Sequence, residues 1–190
     1  MRVFAFLFLL FFMSCIQKHP HQRKVVLRVP PHVFFNSTDT NLQNNNGTWF
    51  YKSQKVNGYI LEKKGNALIA QLPVVDGREN GIAYGWFVTG EKRYERRFKN
   101  GDREGIHKIW YKNGQLAAVN YYENDKLEGE QRSYFENGNT WQSLHYSNGY
   151  EEGKQKTWND SGRVINNFTV KNGKLYGVIG RYDCMSVMQK

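Results

Sequence analysis

Beyond residue 80, short runs that mix aromatic, β-branched and charged residues alternate with pairs of turn formers. The alternation keeps a fixed beat. Glycine recurs at Gly81, Gly105, Gly129, Gly153 and Gly177, 24 residues apart each time. Five positions later stand Trp86, Trp110, Tyr134, Trp158 and Tyr182. Nine positions after each of the first four glycines comes another glycine, preceded by Thr89, Asn113, Asn137 or Ser161. A second turn signal follows at Asn100-Gly101, Asn124-Asp125, Asn148-Gly149 and Asn172-Gly173. An Asn-Gly pair between aromatic and β-branched runs marks a tight hairpin, because both central residues take positive φ. Two such turns per unit leave two strands of about ten residues, so each unit reads as one hairpin of a meander that lengthens by about 10 Å per unit. The expected fold is all-β, an elongated single-layer antiparallel sheet of repeated hairpins over 81–182.

The turns also predict a register. With Asn137-Gly138 as a two-residue turn, Tyr134 faces Trp141 and Gly129 faces Tyr146. The same arithmetic sets Gly105 opposite Tyr122, Gly81 opposite Phe98, Gly153 opposite Val170 and Trp158 opposite Ile165. A large aromatic lying over a strand glycine makes up for its missing side chain, which is the expected reason for the repeat glycines. Trp86, Trp110, Tyr134 and Trp158 then form a row along one face, with Trp141 beside it. Such a row serves either as the sheet's own packing or as an extended recognition surface.

The stretch EGEQRSYFENGNTWQSLHYSNGYEEG, residues 128–153, resembles the MORN-repeat variant, with its Y-x-N-G turns and E-G steps. Such repeats occur in bacterial lipoproteins and in the YwqK-type antitoxin family. The resemblance covers about residues 76–182 and implies the hairpin sheet. For function it implies a non-catalytic binding or scaffolding surface, or an antitoxin that neutralises a toxin by direct binding. Residues 34–80 read as a divergent β region capping the repeats, with a worn unit in VNGYILEKKGN and DGRENG.

The start of the chain reads as an address. Arg2 precedes an unbroken apolar run from Val3 to Met13, too short for a bilayer span of roughly 20 residues but suited to a signal peptide over 1–14. The run ends at Ser14-Cys15, similar to the lipobox of bacterial lipoproteins, in which the cysteine carries lipid. An ordinary secretory signal and an uncleaved anchor are the alternatives. Residues 15–33 hold three of the four prolines and no acid, a basic, extended tether. The expected location is the periplasmic or outer face of a bacterial envelope, membrane-anchored through Cys15. Cys184 lies in the tail, 183–190, and with Cys15 lipidated no internal disulfide is available.

Chemistry is sparse by comparison. Glu104, Glu128 and Glu152 precede repeat glycines, and their equivalent places argue for one shared structural role, since acid–base pairs need environments that differ. His107 and His145 sit at different phases of the unit and read as exposed or cross-strand packing residues. No phosphate-gripping loop, metal-ligand spacing or nucleophile elbow is present, so neither enzyme activity nor a cofactor is expected. A net charge of +10 would suggest nucleic acid; the export signal points away from it and towards envelope polymer, protein or anionic headgroups.

Overall fold

The computed structural model describes residues 28–178, and among them every regular element is a strand. A 15-stranded sheet dominates. It begins with Phe34–Asn36 beside Gly58–Lys64, its one parallel pairing. From there it runs through Ala67–Val75, Gly81–Trp86, Lys92–Lys99, Gly105–Trp110, Leu116–Glu123, Gly129–Tyr134, Thr140–Ser147, Tyr150–Trp158, Val164–Lys171 and Lys174–Val178. Each of these strands is antiparallel to the one before it. The all-β, hairpin-built architecture expected from the turn spacing is what forms.

The N-terminal end is thicker. A second sheet of Leu42–Asn45, Thr48–Tyr51 and Gln54–Lys55 supplies Leu42, Trp49 and Tyr51, which pack with Phe35 and Leu72 against Val56, Ile60 and Val74. Val56 is 1 % exposed and Val74 0 %. Farther along nothing comparable covers the strands: from Leu116 to Tyr122 every residue is half-buried, whichever face it occupies. Alternation into one wet and one dry face is what a covered sheet shows; here both faces are partly wet.

The two turns of each hairpin pair differ, which corrects the expectation of two identical ones. At Asn100-Gly101, φ is 53° and 97°, and at Asn148-Gly149 it is 52° and 86°. These are two-residue turns, closing Lys99 on Asp102 and Ser147 on Tyr150. At Asn137-Gly138, only Gly138 has positive φ (89°). The Phe135 N–H donates to the Asn139 carbonyl (2.8 Å) and the Gly138 N–H to the Phe135 carbonyl (2.9 Å). The loop is therefore three residues, a type I turn followed by a left-handed glycine. The same bonds close the loops at Gly90, Gly114 and Gly162.

The pairing shifts accordingly. Tyr134 faces Thr140, not Trp141, and Trp158 faces Val164, not Ile165. Ser133 then faces Gln142, leaving Trp141 as the extra residue of a bulge. The longer loop moves the register by one and the bulge moves it back. Gly129 therefore still faces Tyr146, Gly105 Tyr122, Gly81 Phe98 and Gly153 Val170, as the simple count predicts.

The reason for those glycines is different from the expected one. A Cβ on Gly129 would meet nothing within 4 Å, and on Gly105, Gly153 and Gly81 it would approach Arg97, His145 and Pro73. No tyrosine, phenylalanine or tryptophan ring is among these nearest neighbours. What they share is backbone: φ is 120° at Gly81, 72° at Gly105, 66° at Gly129 and 92° at Gly153. Each marks a step at which its strand inserts two residues more than the strand it turns back on. Arg103 pairs with Phe98, yet Lys108 pairs with Glu95; Leu127 pairs with Tyr122, yet Arg132 pairs with Val119. Gly177 has φ 107° but stands in an uninterrupted ladder from Lys174–Lys171 to Val178–Asn167. An aromatic over glycine does occur at Gly85, where an added Cβ would overlap the Tyr94 ring.

Gly129→Ala should therefore lower stability by about 1 kcal/mol through backbone strain alone. Gly85→Ala must displace the Tyr94 ring and should lower it by roughly 1–3 kcal/mol. Urea denaturation midpoints of the two variants check the difference; a neutral Gly129→Ala would contradict the backbone explanation.

Candidate functional site: an aromatic row on one face of the sheet

Directly opposed residues in an antiparallel ladder share a face, so the pairings locate each side chain. One line runs unbroken across the sheet: Tyr84, Glu95, Lys108, Val119, Arg132, Ser143, Lys156 and Asn167. Trp86, Trp110, Tyr134 and Trp158 stand two residues beyond Tyr84, Lys108, Arg132 and Lys156. They consequently share that face and form a second line, parallel to the first. All four rings are half-buried. Lys92, opposite Trp86, places its Nζ 5.1 Å from the Trp110 centroid and 5.6 Å from that of Tyr84, and also meets Glu95 Oε2 at 3.3 Å. Lys156 Nζ lies 4.9 Å from the Trp158 centroid. Trp141 falls outside the row: its ring is 46 % exposed and packs at 6.3 Å against Phe135.

The glutamates have a visible structural task. Glu104 Oε2 accepts from the Asn124 N–H (3.1 Å), Glu128 Oε2 from Asn148 (2.7 Å) and Glu152 Oε2 from Asn172 (3.1 Å). Each carboxylate thus ties the two-residue turn of the following hairpin to its own strand. Asn80 stands at the corresponding place before Gly81 and donates from Nδ2 to Asn100 Oδ1 (3.0 Å).

Two positions beyond the glycines lie His107, Gln131 and Gln155, buried at 4 %, 4 % and 0 % exposure. They occupy the steps where the ladder slips. Gln131 accepts the Tyr121 N–H at Oε1 (2.8 Å) and donates from Nε2 to the carbonyls of Glu128 (2.8 Å), Tyr121 and Gly129 (both 3.3 Å). Gln155 Nε2 donates to the His145 carbonyl (2.7 Å), and His107 Nε2 lies 2.7 Å from the Arg97 carbonyl. These side chains fill hydrogen bonds that the slipped backbone forgoes. At the first step the plug is Ala83, 4 % exposed, and Pro73 stands where the later steps have Arg97, Tyr121 and His145. Proline has no N–H to satisfy, and its carbonyl accepts from the Asn80 N–H (3.0 Å). The sequence pattern offered a signal for these plugs, a polar residue two places after three successive glycines, which the count of turns and aromatics passed over.

His107 packs cross-strand, with ring centroids 5.7 Å from Phe98 and 4.7 Å from Tyr122, but it is buried, whereas His145 is exposed. Burial pushes its pKa below the ordinary value; the bond to the Arg97 carbonyl opposes this, and the guanidiniums of Arg96 and Arg103 add to it. Among the described residues no cluster of three acids, cysteines or histidines is suited to a metal, and no helix is long and apolar enough to cross a membrane. Cys15, Tyr182 and Cys184 lie outside the described residues. Compared with known proteins, the chain matches no family model and no curated protein.

Gln131→Leu should lower stability by about 1–3 kcal/mol, because it leaves the Tyr121 N–H buried and unpaired, and should accelerate hydrogen exchange at that amide. Unchanged protection at Tyr121 would rule out the plug. His107 supplies a pH test. Its folded pKa is depressed, so the unfolded chain binds the proton more readily; stability is fully present above about pH 6.5 and falls as pH drops through that value towards the folded pKa. The difference in urea midpoint between pH 8 and pH 5 should shrink in His107→Gln.

Proposed function

We propose that the chain is a membrane-tethered envelope lipoprotein whose hairpins are 24-residue MORN-like repeats and whose sheet is a non-catalytic recognition surface for a protein or envelope polymer. The observation that carries the reading is the row of Trp86, Trp110, Tyr134 and Trp158, half-buried on one face, with lysines against Trp110 and Trp158. Rigid aromatics beside cations, spread over a long surface with no enclosing cleft, suit the grip of an extended partner. The periodic glutamates accept turn N–H bonds, which fits a scaffold better than an acid–base pair. The lipid anchor rests on the apolar run before Cys15.

Incorporation of a labelled fatty acid into the full chain should depend on Cys15 and vanish in Cys15→Ser. Cross-linking in intact cells should yield a partner band that the Trp110→Ala/Trp158→Ala double variant loses while remaining folded by circular dichroism. Labelling that persists in Cys15→Ser would remove the anchor, and a partner band indifferent to both tryptophans would remove the surface.

A further inference from the structure

The aromatic row has a companion that narrows the class of partner. Lys108, Arg132 and Lys156 share the face of Trp110, Tyr134 and Trp158 and stand two residues before them. Rings and cations therefore make two parallel lines, separated by about 7 Å along the strands and repeating every second strand, about 10 Å across the sheet. Two acids on this face are already engaged: Glu95 meets Lys92 at 3.3 Å, and Glu130 holds Arg132 at 2.9 Å and Ser143 Oγ at 2.6 Å. Lys108, Lys154 and Lys156, all on this face by register, have no acid partner among the described residues.

We propose that this face binds an extended β-linked glycan carrying one acid group per disaccharide. The pitch is the argument. A β-linked disaccharide is about as long as the 10 Å that two strands span, so successive rings can each stack on every second sugar with no drift along the row. The apolar C–H face of a pyranose suits the electron-rich face of an indole or phenol. The cations beside Trp110, Tyr134 and Trp158 are offset to one side and meet carboxylates as the polymer crosses, with Arg132 shared with Glu130 and Tyr84 in the corresponding place beside Trp86. A folded protein would need no such regular pitch, and a lipid headgroup would need no aromatic in register with each cation. The four rings span about eight sugars.

The inference rests on the recognition-surface reading, and one titration series tests the two separately. Full chain in detergent is titrated calorimetrically with hyaluronan oligomers, which carry one carboxylate per disaccharide, and with neutral chitin oligomers of equal length. Affinity for hyaluronan should climb with each added disaccharide up to about eight sugars and exceed that for the neutral series about tenfold at low salt. Trp110→Ala should weaken both series about tenfold, with Trp110→Phe, which retains a ring, largely restoring them. Lys156→Gln should weaken only the acidic series. Absence of saturable binding, or binding indifferent to length and to Trp110, overturns the glycan. If the tryptophan double variant still loses its cross-linked partner in cells, the recognition surface survives that result; if it does not, both readings fall together.

Discussion

The hydrogen bonds that the main sheet gives up at each Glu-Gly step, and the buried side chains that replace them, are the constraint on which the rest depends. An N–H or carbonyl stranded inside a sheet costs about as much as a lost hydrogen bond plus its desolvation, so a two-residue slip cannot stand unless something fills it. Gln131 does so with four bonds to backbone groups around one step. His107 and Gln155 do so with fewer, and Gln155 Oε1 is left without a partner. Ala83 escapes the need because Pro73 brings no donor. Positive φ at the glycine lets the chain make the step, and the glutamate before it fastens the next turn. One short motif thus carries the bend, its plug and its tie to the neighbour.

The slip decides how the sheet runs. Following the ladder from Glu95 through Lys108 to Val119, and on through Arg132 to Ser143, each second strand returns to the corresponding residue of the next unit. Were the same chain paired without the slip, every unit would be offset by two residues, roughly 7 Å, and equivalent side chains would march diagonally. Cumulative stagger is also what a sheet needs to close into a barrel. By cancelling it at each step the chain keeps an open ribbon, with Phe34–Asn36 and Lys174–Val178 as its outer described strands, and keeps Trp86, Trp110, Tyr134 and Trp158 in line. The straight row follows from the bulges.

What could be read from the residues divides along the same physics. Asn100-Gly101 and Asn148-Gly149 announce their turns because Asn and Gly take left-handed geometry more cheaply than most residues. The glycine pairings were also legible, but for a reason that hid two features: the three-residue loop at Gly138 and the bulge at Trp141 offset one another. Counting back from the turn therefore lands Gly129 on Tyr146 while misplacing Tyr134 by one. The demand for positive φ at Gly129 left no trace distinguishable from a demand for small size. The parallel pairing of Phe34–Asn36 with Gly58–Lys64, and the small sheet that covers Val56 and Val74, depend on tertiary contacts that no local pattern encodes.

The two faces divide the labour. His107, Gln131 and Gln155 face Asn120, Leu144 and Phe168, one residue out of phase with Lys108, Arg132 and Lys156, so the plugs enter from the side opposite the aromatic row. Backbone repair, the costliest requirement of this sheet, occupies that other face. The row is consequently free of the side chains that hold the steps together, and Trp110 or Trp158 can change without touching them. The plugs and the aromatic row are interleaved along every second strand and never share a side.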